Sequence, residues 1–267
     1  MKTIVAIGRA ERYSPNSVAK DRAIMDSVCC LLVRAGLQTV RLPEDDLQAE
    51  ALPEADLYLS MGRHPHTLQL LKECEARGAR VVNGTAGVAL CCRRAKLFGL
   101  LERGGVPVPP AEGEHGFWLK RADGVAEGPG DVVFAASRDE MAARRSEMAA
   151  HGVTDIYQCA HMEGDLLKFY GVRGTGFFYV CYPGDDGMWK FDDERRNGRP
   201  RHYAFDAGAL RAMAGRAAAL AGVQVYGGDC IVGADGSVTL IDLNDWPSFS
   251  RCREEAARAI VRAVDMR

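Results

Sequence analysis

Three oxygen-bearing side chains near the C-terminus have types and spacing suited to holding a cation. Gly227-Gly-Asp229 lies on one apolar stretch and Ile241-Asp242-Leu-Asn244 on the next, with the turn Gly233-Ala-Asp-Gly236 between them. Residues two apart on a strand project to one face, so Asp242 and Asn244 point together, and a hairpin partner can bring Asp229 beside them. Two carboxylates and an amide suit Mg²⁺, which completes its octahedron with water and phosphate oxygens. The same pattern also fits a solvated hairpin. Cationic partners for a polyphosphate are available in Lys96, in a helical stretch, Lys120, which ends Phe117-Trp-Leu-Lys, and Lys168, inside Leu166-Leu-Lys-Phe-Tyr170. A lysine in an apolar strand is costly unless paired, which singles out Lys120 and Lys168. The Gly-rich loop 122–130 could cover phosphates through its backbone N–H groups and should be mobile until it does.

Acceptor contacts are sought among basic residues. Arg9, Arg12, Ser14 and Asn16 follow the first apolar strand, where loops of open α/β sheets bind ligands. Arg173, Arg251 and Arg253, near Ser248, are further anion contacts, and Lys168, Arg173 and Ser248 are the candidates for work at the reacting atoms. Cys159 and His161 are two apart without a third orienting group, so strand packing explains them better than a nucleophile pair. Nine Cys without CxxC spacing read as reduced and mostly buried, and argue against a structural zinc site.

The elements that must position these residues alternate. Strands are expected at Thr3–Gly8, Gln38–Leu42, Ala55–Met61 and Arg80–Asn83, with helices from Ser17 to Ala35 and Thr67 to Arg77, giving a parallel α/β lobe over residues 1–83. Residues 84–160 read as one helix over 85–103, a Pro-rich boundary, a hairpin (Gly116–Lys120 with Asp131–Ala135), a charged helix from Ser137 and a strand ending at Ala160. Residues 161–267 read as a strand-rich lobe with a helix from Asp206 to Ala221 and a closing amphipathic helix from Arg251.

Composition narrows the class of protein. With 34 Lys and Arg against 36 Asp and Glu the net charge is −2, which excludes electrostatic nucleic-acid binding as the main activity. No apolar run reaches the roughly 18 residues of a membrane span. The stretch Thr3–Gly8, closed by Arg9, is too short for a signal-peptide core, so a cytoplasmic protein is expected.

Taken in order, these pieces resemble the ATP-grasp superfamily over about residues 82–250: Val82-Asn-Gly-Thr, Lys96, Gly105-Val-Pro-Val-Pro, Trp118-Leu-Lys120 and the Gly-rich loop, Tyr157-Gln158-Cys-Ala160, Glu163-Gly-Asp-Leu-Leu-Lys168, then Asp229 and Asp242-Leu-Asn244. The resemblance implies an α/β ATP-grasp fold with an N-terminal parallel α/β domain before it, using ATP and Mg²⁺ on a small-molecule acceptor. It implies that Lys96, Lys120 and Lys168 contact ATP phosphates, that Gln158 and Ala160 meet adenine, that Glu163 or Asp165 meets ribose, and that Asp229, Asp242 and Asn244 hold magnesium. Asp242 stands where many members have Glu, Trp246-Pro-Ser248 where many have Pro-Gly, and Gly227 where carboxylate ligases often have Arg. A carboxylate-amine ligase acting through an acyl phosphate is the leading expectation. The texture of Lys168-Phe-Tyr-Gly-Val and Asp242-Leu-Asn-Asp-Trp-Pro-Ser-Phe also resembles the inositol-polyphosphate kinase branch, in which a hydroxyl accepts the phosphoryl group. A nucleotide-binding protein without turnover is the reading from a different class.

Overall fold

Short β-branched strands alternating with amphipathic helices bury both sheet faces, so the strands of such a lobe run parallel. The computed structural model describes residues 2–14, 16–47, 51–124, 128–185 and 196–264. In it β1 (Thr3–Gly8), β2 (Gln38–Pro43), β3 (Leu57–Ser60) and β4 (Arg80–Val82) form a parallel sheet in the order β2-β1-β3-β4. Strand period decides the two faces: Ile4 and Ala6 pack with Ile24, Val28 and Leu32 of α1 (Val18–Arg34), whereas Val5 and Ile7 pack with Leu70, Leu71 and Cys74 of α2 (Pro65–Ala76). All nine cysteines are free thiols.

The helix expected without interruption over 85–103 is broken. α3 (Thr85–Cys91) and α4 (Arg94–Arg103) are separated at Arg93, whose φ of −117° and ψ of 79° leave the helical region. α3 is held against α6 (Ala207–Ala221): a Cβ on Gly87 would stand 2.7 Å from the carbonyl oxygen of Gly222, so this approach requires glycine. α4 turns off to pack Leu97 and Leu101 with Leu210, Ala214 and Ala217 of α6.

β5 (Phe117–Arg121), β6 (Val132–Ala135) and β7 (Ile156–Ala160) make an antiparallel sheet in the order β6-β5-β7. It is backed by α5 (Arg138–Ala150), which Ser137 caps by accepting from the Glu140 N–H. β8 (Asp165–Val172), β9 (Phe178–Cys181), β10 (Val225–Val232) and β11 (Val238–Asp245) make a second antiparallel sheet in the order β11-β10-β8-β9, covered by the Ala-rich face of α6. α7 (Arg253–Ala263) returns to the first lobe, where Ala256, Ala257 and Ile260 share a core with α1 and with Trp246 and Phe249. The stretch expected as the third lobe therefore completes the core of the first. Asn83 ties β10 to that lobe, accepting from the Gln224 and Val225 N–H groups (2.8 Å each) and donating to the Val225 carbonyl (2.7 Å).

Candidate nucleotide and metal site

Antiparallel register makes a row of charged residues across three strands. Lys168 of β8 stands opposite Asp229 of β10, and Asp229 opposite Asp242 of β11, so all three project to one face. Lys168 Nζ lies 3.1 and 3.3 Å from the two Asp229 carboxylate oxygens. Asn244 Nδ2 donates to Asp242 Oδ2 at 2.9 Å, and Arg94 Nη2 reaches Asp242 Oδ1 at 3.5 Å. From the opposing sheet, Lys120 Nζ donates to the Ile241 carbonyl at 3.2 Å. Gly228 permits the close strand approach: a Cβ there would lie 2.2 Å from the Asp242 carbonyl oxygen and 2.5 Å from the Phe169 ring. Burial pushes the Asp242 carboxyl pKa up, but Arg94, Lys120, the Asn244 hydrogen bond and Lys168 outweigh it, and the net shift is below the ordinary carboxylate value. Asp242 is an anion at neutral pH.

The donor set fits Mg²⁺. Asp229, Asp242 and the amide oxygen of Asn244 are hard oxygen ligands, and the Asn244 N–H group already in use leaves that oxygen as the acceptor. Among the described residues no three His, Cys, Asp or Glu cluster as a metal cage, so the ion suited to this row is one that takes few carboxylates and completes its shell with water and phosphate.

Beside the row, a cavity of about 110 Å³ opens between the two antiparallel sheets, lined among others by Trp118, Lys120, Ala160, His161, Met162 and Ile231. One wall is braced by Trp118 Nε1, which donates to His161 Nδ1 at 3.1 Å, and both rings meet Phe134 edge-on. Burial, then the neighbouring Arg196, lower the His161 pKa, so the ring is neutral at pH 7 with its proton on Nε2. Strand packing was the expectation for His161; the structure puts the residue in the cavity wall as well.

No protein-family model matches the sequence, and no curated protein sequence does. Solved structures do match in three dimensions. The D-alanyl-alanine synthetase A of Vibrio cholerae superposes with a TM-score of 0.72 at 11% identity, over 99% of this chain and 97% of that one. A RimK domain ATP-grasp protein of Sphaerobacter thermophilus superposes with a TM-score of 0.66 at 17% identity, over 98% of this chain and 99% of that one. This is the ATP-grasp fold. The ATP-grasp ligase PsnB, complexed with a minimal precursor, adds a TM-score of 0.63 at 16% identity over 99% of this chain and all of that one.

Within the ATP-grasp fold the expected residues divide into two sets. Lys120, Lys168, Asp229, Asp242 and Asn244 converge, and Ala160 lines the cavity, its N–H already donating to the Pro110 carbonyl. Arg94 joins them in the place expected for Lys96, which lies exposed on α4, because the helix break makes Arg94 the first residue of α4. Gln158 is engaged elsewhere, accepting from Arg145 and donating to the Ala111 carbonyl. Each Asp165 oxygen accepts one backbone N–H, from Arg201 (2.7 Å) and Tyr203 (2.9 Å), so the buried Asp165 braces that segment. Glu163 is exposed and pairs with His115 at 3.4 Å. Arg173 lies in the turn after β8, five positions past Lys168, hydrogen-bonded to the Val223 carbonyl. Ser248 is half-buried in the turn after β11, and Arg251 reaches the Tyr182 carbonyl at 3.4 Å.

The loop after β1 also differs from expectation. Arg9 is buried and donates to the carbonyls of Asp245 (3.1 Å) and Trp246 (2.7 Å), Ser14 donates to Asp21 at 2.6 Å, and Asn16 is exposed at a φ of 57°. Of that set Arg12 borders a cavity of about 650 Å³ between the N-terminal lobe, α3 and the start of the Gly-rich loop. Residues 125–127 of the Gly-rich loop lie outside the described residues. Two buried residues went unread in the sequence. Glu44 accepts from the N–H groups of Ala10, Arg63 and His64, joining the loops after β1 and β3, and Asp245 holds the Arg63 guanidinium.

Proposed function

We propose that this protein is an ATP- and Mg²⁺-dependent ligase that joins a carboxylate to an amine through an acyl phosphate. The observation that carries the reading is the row Asp229, Asp242 and Asn244 flanked by Lys168, Lys120 and Arg94 beside a cavity between two antiparallel sheets. The proteins that share the fold include a D-alanyl-alanine synthetase and the ATP-grasp ligase PsnB, which supports ligation over other phosphoryl transfers.

The residues divide the work as follows. The cavity takes the base, with the neutral His161 and Trp118 walling it and excluding water. Lys120, Lys168 and Arg94 bind phosphate oxygens and offset the charge that grows on the leaving ADP. Asp229, Asp242 and Asn244 would hold Mg²⁺, which supplies Lewis-acid polarisation of the phosphates. An acceptor carboxylate oxygen forms a bond to the γ-phosphorus as the bond to the ADP oxygen breaks, its electron pair leaving on ADP. The amine then bonds to the acyl carbon, releasing inorganic phosphate and a proton. No described helix is long and apolar enough to cross a membrane, and the acceptor is proposed to be a small molecule met in the cytoplasm.

The test supplies Mg-ATP, hydroxylamine as the amine, and a panel of amino acids and di- and tricarboxylates. Hydroxamate formed together with ADP is expected. ADP with a stable phosphate ester and no hydroxamate would make the protein a kinase, and ATP binding without ADP from any acceptor would make it a binding protein.

A further inference from the structure

β11 runs out into a turn that its own residues do not favour. Trp246 has a φ of 45° and Phe249 a φ of 48°, both in the left-handed region that favours glycine, and both residues are fully buried. The Trp246 indole N–H is enclosed with no hydrogen-bond partner among the described residues. Backbone of this kind persists only where its surroundings hold it, and it collects at functional sites.

Arg9, in the loop after β1, supplies one such hold from the first lobe. Its Nη2 donates to the carbonyls of Asp245 (3.1 Å) and Trp246 (2.7 Å). The Trp246 N–H still completes the sheet, donating to the Val225 carbonyl at 3.0 Å, so Arg9 takes hold where the chain leaves the ladder. The Arg9 side chain is 8% exposed, and its Nε makes no hydrogen bond among the described residues. Asp21 stands 3.8 Å from that Nε and already accepts from Ser14. A buried guanidinium is ordinarily matched to a carboxylate, whereas this one is aimed at two backbone carbonyls.

The turn then brings Pro247 back to the candidate metal row. A Cβ on Gly227 would lie 2.7 Å from Pro247 Cγ, so the proline ring sits on bare backbone there. Gly227 stands opposite Asn244 in the pairing of β10 with β11. Asn244 is therefore flanked twice by the turn, two residues before Trp246 along the chain and across the ladder from the seat of Pro247.

We infer that Arg9 is a positioning residue for the metal row: by holding the Asp245 and Trp246 carbonyls it keeps the turn after β11 left-handed, and the turn keeps Asn244 placed to bind the cation. This rests on the reading of Asp229, Asp242 and Asn244 as the Mg²⁺ ligands. Release of the two carbonyls lets Trp246 relax, lifts Pro247 from Gly227 and loosens the end of β11.

The experiment is titration calorimetry of a non-hydrolysable ATP analogue on the full chain, with and without Mn²⁺ as the metal probe, together with the electron paramagnetic resonance spectrum of the bound Mn²⁺. The variants are Arg9→Met, Arg9→Lys and Gly227→Ala, the last of which crowds Pro247 without touching Arg9. Removing a group that orients metal ligands costs about 10–100-fold in metal affinity. Arg9→Met and Gly227→Ala should each weaken Mn²⁺ by about tenfold or more and change its spectrum, with metal-free analogue affinity unchanged. Arg9→Lys, which keeps the charge and a donor, should recover part of the loss. Variants that melt lower but bind Mn²⁺ with the parent's affinity and spectrum would make Arg9 a structural brace alone and overturn the inference. Should Arg9→Met fail to fold, Gly227→Ala decides by the same two readouts. A parent whose analogue binding gains nothing from Mn²⁺, and whose Mn²⁺ spectrum is that of the free ion, overturns the metal reading and the inference with it.

Discussion

Replacing Asp245 with alanine should destabilise the protein severely. Its carboxylate accepts from Arg63 Nη2 at 2.7 Å and Nε at 3.3 Å, and the two side chains are only 1% and 6% exposed. The Arg63 pKa is raised because the Asp245 charge and hydrogen bond exceed the opposing effect of burial. Arg9 is buried nearby, and burial together with repulsion from Arg63 lowers its own pKa. Without Asp245 two enclosed guanidinium groups face one another with Asp21 and Glu44 as the remaining balance. Breaking a buried pair by removing one partner costs about 3–5 kcal/mol. At about 2–4 °C per kcal/mol for a protein of this size, the melting temperature should fall by roughly 6–20 °C. Thermal melts by circular dichroism measure this directly. The double variant Arg63→Met with Asp245→Leu should recover much of the loss, since it removes both charges and keeps apolar volume. A melting temperature for Asp245→Ala within about 2 °C of the parent would refute the reasoning, because it would mean that water or another carboxylate already compensates Arg63.

Millimolar Mg-ATP should raise the melting temperature by roughly 5–10 °C, since saturation at 100 times Kd adds about 2.7 kcal/mol, and an unchanged scan would remove the nucleotide reading. Asp242→Asn should abolish Mg-dependent ADP formation while the melting temperature of the nucleotide-free protein stays within a few degrees; normal turnover would place the metal elsewhere. The lowered Asp242 pKa means that its stabilising charge is complete above the unfolded carboxyl value of about 3.9 and is lost only as pH falls through the lower folded value, so Mg-analogue affinity should show no carboxylate titration from this group between pH 7 and 5. Arg94→Met should weaken analogue binding by roughly tenfold or more whereas Lys96→Met should leave it unchanged, and the reverse ranking in the same titration would restore Lys96 to the phosphates.

The parallel lobe was legible because β1 and α1 carry unmixed signals: a β-branched run ended by Gly8, then a helix with Ile24, Val28 and Leu32 on one face. The C-terminal hairpin was legible because Asp242 and Asn244 obey the two-residue period and the Gly233–Gly236 turn closes the two strands, but the turn's register alone would set Asp229 opposite Ile241, and an irregularity between Asp229 and Cys230 shifts the pairing to bring Asp229 opposite Asp242. Lys96 has the residue type of a phosphate contact, but the apolar spacing of 85–103 gives no sign of the break at Arg93 that makes Arg94 the first residue of α4. Arg9, Ser14 and Asp165 resemble ligand-binding residues in a sequence because a buried polar brace and a binding residue have the same chemistry. Only the partners tell them apart: the carbonyls of Asp245 and Trp246, the Asp21 carboxylate, and the N–H groups of Arg201 and Tyr203.

Strand β11 joins the candidate metal row to the first lobe through its period. Asp242 and Asn244 face the nucleotide side, while Leu243 enters the core beneath and Asp245 is buried against Arg63 and the first lobe. A one-residue slip of β11 would exchange these roles, placing Leu243 in the charged row and leaving Arg63 without its carboxylate, so register is selected by electrostatics as well as by apolar burial. The metal row and the buried Arg63–Asp245 pair are consequently fixed to one another by a single rigid segment of backbone. In-line transfer requires that kind of constraint, because the acceptor oxygen and the γ-phosphorus must be held in near-contact by parts of the protein that do not move independently.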